Sequence, residues 1–202
     1  MITPVVVMLH GRGAGPENIR DLIPRLDRPQ FEYVAPAAPN RSWYPYSFLA
    51  EIEQNEPHLS KALDQIRGVV ADAEARGVPR TKIVLLGFSQ GACLATEFVL
   101  RHASRFGGLI AFSGGAIGPP GRNLAAEGTD GSDKFKGMPA FFGCSDVDAH
   151  VPETRVRDSA ELVARMGATV TVKIYPGMGH LVNDDEIARA RRLLDGVVEA
   201  GR

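Results

Sequence analysis

The chain has 202 residues, 44% of them hydrophobic and 23% charged, with a formal net charge of −1, which suits one globular domain over 1–202 with a full core. Scattered charge summing to nearly zero argues against nucleic acid or an anionic membrane as a partner. The start Met1-Ile2-Thr3-Pro4 has no basic segment and the apolar run behind it is too short for a signal peptide or a membrane span, so a cytoplasmic protein is expected.

A first strand is predicted over 5–10, followed by the loop His10-Gly11-Arg12-Gly13-Ala14-Gly15. The third glycine position of a dinucleotide fingerprint holds Pro16, and no Gly-Lys-Ser/Thr motif exists, so the loop is neither a Rossmann turn nor a P-loop. His10 reads as a structural residue of this loop. Apolar spacing at Ile19, Leu22, Ile23 and Leu26 predicts a helix capped by Asn18, and a second strand covers 31–35. Residues 36–57 are proline-broken and aromatic, and Trp43, Tyr44, Tyr46 and Phe48 in it suit an apolar wall for a ligand, with Trp43 and Tyr44 the substrate-binding candidates. A helix follows, with Leu59, Leu63, Ile66, Val69 and Val70 on one face.

The strand over 83–88 runs into Gly87-Phe88-Ser89-Gln90-Gly91, after which small residues open a helix. A serine at a sharp strand-to-helix turn is a nucleophile elbow, and side chains at Gly87 and Gly91 would collide with the neighbouring helix and strand. Strands at 109–112 and 140–143 bracket an irregular stretch, 114–137. A helix carrying Val156, Val163 and Met166 precedes a strand over 169–175 whose apolar residues alternate, placing it near a sheet edge. The loop Tyr175-Pro176-Gly177-Met178-Gly179-His180 leads to a last helix, capped around 183–185 and bearing Ile187, Ala190, Leu193, Leu194 and Val197. The alternation predicts an α/β fold, a mostly parallel sheet with helices on both faces. Cys93 and Cys144 fall in no metal-ligand or redox spacing, so no disulfide, metal or cofactor is expected.

A serine hydroxyl becomes nucleophilic when a neutral imidazole takes its proton and a carboxylate holds that imidazole in the right tautomer. His180 lies in a loop after a strand, where it can reach the sheet's carboxyl edge. The carboxylate should come from 143–152, where Asp146 and Asp148 are equally placed. His150 is disfavoured as the base, being two positions from Asp148. Backbone N–H groups of Gln90 and of Arg12 are the oxyanion donors, the first at a helix N-terminus and the second in the glycine-rich loop.

Leu-His-Gly-Arg-Gly, Gly-Phe-Ser-Gln-Gly, Asp-x-x-Val-Pro and Pro-Gly-Met-Gly-His stand here in one order, and together with Ser42-Trp43-Tyr44 they make the chain resemble the phospholipase/carboxylesterase family of α/β-hydrolases. The resemblance covers nearly the whole chain. It implies an α/β-hydrolase without a large cap domain, and it selects Asp148, which heads Asp-x-x-Val-Pro, beside Ser89 and His180. It implies a small ester as substrate, with short-to-medium acyl chains, and a monomer or homodimer. Acyl-protein thioesterase or lysophospholipase-type activity is the alternative, and a non-catalytic binding protein is less favoured. The chain departs from the family at Arg12, Ala14, Pro45 and Cys144-Ser145.

Overall fold

A computed structural model describes residues 2–122 and 134–199, so part of the predicted 114–137 excursion lies outside the described residues. Six strands form one sheet: β1 (Val5–Leu9), β2 (Glu32–Val34), β3 (Ile83–Phe88), β4 (Gly108–Phe112), β5 (Pro139–Ser145) and β6 (Thr169–Tyr175). Their order is β2-β1-β3-β4-β5-β6 and every pairing is parallel. Parallel neighbours need crossovers, and α1 (Pro16–Arg20), α2 (Leu22–Leu26), α3 (His58–Ala75), α4 (Gln90–His102) and α5 (Glu153–Arg165) supply all but the one from β4 to β5, with α6 (Asp184–Glu199) following β6.

Strand periodicity sorts the apolar residues into two cores. Val5, Val7, Leu9, Ile83, Leu85, Leu109, Ala111 and Phe142 face α3, α4 and α5, packing with Leu59, Ile66, Phe98 and Val156. Val6, Met8, Val84, Leu86, Ile110, Phe112 and Phe141 point the other way, onto Ile19, Leu22 and Leu26 and onto Ile187, Ala190 and Leu194. Both faces being covered, the central strands read as unbroken apolar runs. As its alternating sequence predicts, β6 is an edge strand, with Thr169, Thr171 and Lys173 exposed.

Two local expectations are corrected. The helix predicted over Ile19 to Leu26 divides at Asp21 into α1 and α2. Asn18 does not cap it: the cap position is Gly15, and Asn18, three residues on, turns its Oδ1 back to accept the Gly15 N–H at 2.9 Å. Pro16 at the first helical position needs no such acceptor, which lets the helix start earlier than the capping residue suggests.

At the other end Asn183 and Glu186 form a reciprocal cap. The Asn183 side chain accepts the Glu186 N–H at 2.8 Å and the Glu186 carboxylate accepts the Asn183 N–H at 2.9 Å. Glu186 is fully buried, its other oxygen finds no partner among the described residues, and burial pushes its carboxyl from 4.5 to about 7. The folded protein therefore holds this proton more tightly than the unfolded chain does. Its stabilising contribution is complete below about pH 4.5 and is lost as pH rises through about 7, a change of about 3 kcal/mol at most. Urea unfolding across that window should show wild type losing stability relative to Glu186→Gln. Parallel profiles for the two proteins would contradict the assignment.

Candidate active site

The first, third, fifth and sixth strands end at one edge of the sheet, and the loops leaving them carry the polar residues that converge there. Ser89 sits between β3 and α4 with φ 55° and ψ −122°, a region that L residues seldom occupy. The turn is tight enough that a Cβ on Gly87 would lie 2.4 Å from the Gly91 carbonyl, and one on Gly91 would lie 2.0 Å from the Leu9 carbonyl oxygen. Both contacts are to backbone, which cannot give way, so glycine is required at each.

His180 donates from Nδ1 to Oδ2 of Asp148 at 2.7 Å. The other carboxylate oxygen accepts the N–H groups of His150 at 2.8 Å and Val151 at 3.0 Å. Burial works against charge on Asp148, yet these three donors outweigh it and hold the carboxyl below its ordinary value. The Asp148 side chain is 0% exposed and that of His180 20%. With its Nδ1 proton committed to a carboxylate, the neutral ring presents Nε2 as an acceptor. Phe88 and His150 flank the ring, with centroids 4.8 and 4.7 Å away.

Asp146 serves the same loop in another way. Its Oδ1 accepts the Gly177 N–H at 2.8 Å, while Ser145 Oγ accepts the Gly179 N–H at 3.1 Å. These two bonds anchor the stretch that carries His180. Spacing alone left Asp146 and Asp148 equal, the family resemblance selecting Asp148, and both passed over Ser145, because no periodicity reports which acceptor meets which loop.

The glycine-rich loop packs directly on the elbow: a Cβ at Gly11 would stand 3.4 Å from Ser89 Cβ. His10, as expected, is structural in its contacts. Its Nδ1 bonds to the Gly11 carbonyl at 2.8 Å and its Nε2 accepts the Ala38 N–H at 3.1 Å. The side chains of both oxyanion candidates reach one short segment. Gln90 accepts the Trp43 N–H at 3.0 Å and donates to the Tyr44 carbonyl at 2.8 Å. Arg12 donates to the carbonyls of Pro45 at 2.6 Å and Tyr46 at 2.5 Å. Residues 43–46 lack a strand or helix of their own, so these side chains satisfy backbone groups that would otherwise be stranded. The motif reading of Arg12 and Gln90 concerned their amides and missed this use of their side chains.

A cavity of about 670 Å³ opens at the edge, lined by Ser89, His180, Gln90, Arg12, Tyr44 and Phe48 among others. Trp43 is not part of that lining. It is 2% exposed and donates its indole N–H to the His10 carbonyl at 2.9 Å, behind the wall that Tyr44 presents. Ser89 and His180 thus line one cavity together with Gln90 and Arg12, the first residue of α4 and a residue of the glycine-rich loop. Among the described residues no three His, Cys, Asp or Glu side chains gather as a metal site, and no helix is long and apolar enough to cross a membrane.

Comparison with known proteins places the chain among hydrolases. Residues 2–197 match the Phospholipase/Carboxylesterase family. A crystal structure of a phospholipase/carboxylesterase from Dyadobacter fermentans is 40% identical, covering 97% of this chain and 90% of that one, with a TM-score of 0.86. A probable carboxylesterase of Arabidopsis thaliana is 25% identical over 93% of this chain and 76% of its own length. Acyl-protein thioesterase 1 of Eremothecium gossypii is 28% identical over 82% of this chain and 71% of its own.

Proposed function

The chain belongs to the phospholipase/carboxylesterase family of carboxylic ester hydrolases, with the α/β-hydrolase fold, and from that membership we propose that it cleaves esters of short-to-medium acyl chains through an acyl-enzyme on Ser89. The observation that carries the reading is the His180–Asp148 bond at 2.7 Å, made to a carboxylate with no side-chain exposure, beside a cavity that Ser89 and His180 both line.

Ser89 Oγ attacks the ester carbonyl as its proton passes to His180 Nε2, and Asp148 stabilises the imidazolium that results. The carbonyl oxygen, now negative, rests on the N–H groups of Arg12 and Gln90. His180 returns the proton to the leaving alcohol. Water then gives its proton to the same nitrogen and attacks the acyl carbon, and as the bond to Ser89 Oγ breaks His180 returns that proton to Oγ, freeing the acid and restoring the serine.

A thioester reading shares every step and is supported by the relative named an acyl-protein thioesterase. The deciding experiment is a series of p-nitrophenyl esters from acetate to palmitate, run beside palmitoyl thioester and an S-acylated peptide, with fluorophosphonate labelling of the same preparation. Rates highest for short and medium esters, with one label per chain on Ser89, are expected. Turnover confined to long thioesters would favour the second reading, and failure to label would remove both.

A further inference from the structure

Charge is distributed unevenly around the cavity. None of the described residues lining it is aspartate or glutamate, and one, Arg12, is permanently charged. Asp148 lies behind His180 with no side-chain exposure, so it offers nothing to the space. Burial pushes the Cys93 thiol up to about 12 and the Tyr44 phenol well up, which keeps both neutral. Glu17, the acid nearest in the chain, stands 3.8 Å from Arg41 instead. Among the described residues the Arg12 guanidinium meets only neutral groups: the Pro45 and Tyr46 carbonyls and the face of Tyr44, 5.8 Å away. Those carbonyls aim the guanidinium without cancelling its charge, and they use two of its five N–H groups. His150 also lines the cavity, its ring 4.7 Å from that of His180.

We propose that the cavity selects esters bearing a carboxylate, and that the Arg12 side chain is the specificity-determining group that receives it. The proposal rests on the ester-hydrolase reading above. A planar guanidinium with three uncommitted N–H groups can hold a carboxylate by two parallel bonds, and no lining acid competes for it. Partial exposure of Arg12 limits the gain to about tenfold in kcat/KM.

The test compares matched fluorogenic esters with the full chain. One pair carries charge on the acyl side, an umbelliferyl half-ester of adipic acid against the same compound methylated on its free acid. A second pair carries it on the alcohol side, acetylated hydroxybenzoate against its methyl ester. At least one pair should favour the anion by about tenfold, less so as salt is added. The anion-to-neutral ratio should fall to about one or below in Arg12→Gln and survive in Arg12→Lys. A guanidinium serving only as a strap on residues 45–46 would lower both rates together and leave the ratio unchanged, and that result overturns the proposal. So does a wild-type preference for the neutral member of both pairs. A protein that hydrolyses neither member and takes no fluorophosphonate overturns the ester-hydrolase reading, and this proposal with it.

Discussion

Ser89→Ala is expected to lower ester turnover by about ten-thousandfold or more while the protein stays folded. The loss is large because no acyl-enzyme can form, and the amides and cavity that remain supply only the residual acceleration of a bound, polarised ester. The fold survives because alanine at φ 55° is no worse placed than serine, and the elbow is set by Gly87 and Gly91. Ser89→Gly should be as inactive yet more stable by about 1 kcal/mol, since glycine accepts that φ without strain. Steady-state hydrolysis and thermal melting of the two variants check both halves. Retained turnover in either variant, after a contaminating esterase is excluded, would move the nucleophile away from Ser89.

Asp148→Asn should cost about a thousandfold to ten-thousandfold in kcat, whereas Asp146→Asn should stay within about tenfold of wild type. All of Asp148's partners donate: the His180 ring and, weakly at 4.0 Å, the Cys144 thiol to one oxygen, and the N–H groups of His150 and Val151 to the other. A carboxylate accepts on both sides, but an amide must turn its NH₂ toward a donor somewhere. The oxygen that serves two N–H groups has the stronger claim to remain an oxygen, so the NH₂ faces His180 Nδ1. That ring must then carry its proton on Nε2, where it can no longer take one from Ser89. Asp146 meets one donor, the Gly177 N–H, and an amide oxygen replaces its carboxylate there without conflict. Equal losses in the two variants would show that the tautomer argument is wrong.

The strands were legible in the sequence because burial on both faces leaves an unbroken apolar record. Each of the six predicted runs lies on an observed strand to within a few residues. The elbow was legible for a different reason. Two glycines are demanded by backbone contacts of 2.0 to 2.4 Å, and such a demand leaves a fixed spacing around Ser89. Asn18 misled because one residue type suits both the cap position and a position three residues inside the helix, from which its oxygen reaches back. Trp43 was assigned to the substrate wall on its size and loop position. Its indole is turned inward to the His10 carbonyl, a partner 33 residues away that local sequence cannot announce.

The amino-acid order by itself determined a parallel sheet, a strained serine at a strand's end and a histidine in the loop before the last helix, since each leaves a local record: an apolar run, a glycine spacing, or a place in chain order after a strand. Asp148 was selected by family resemblance and not by local pattern, and only the tertiary structure decided that Asp146 holds Gly177 and that the Arg12 and Gln90 side chains suspend residues 43–46. Those pairings join segments tens of residues apart. Hydrogen-bond geometry at that range is set by how the crossovers pack on the sheet, and packing is a property of the whole chain.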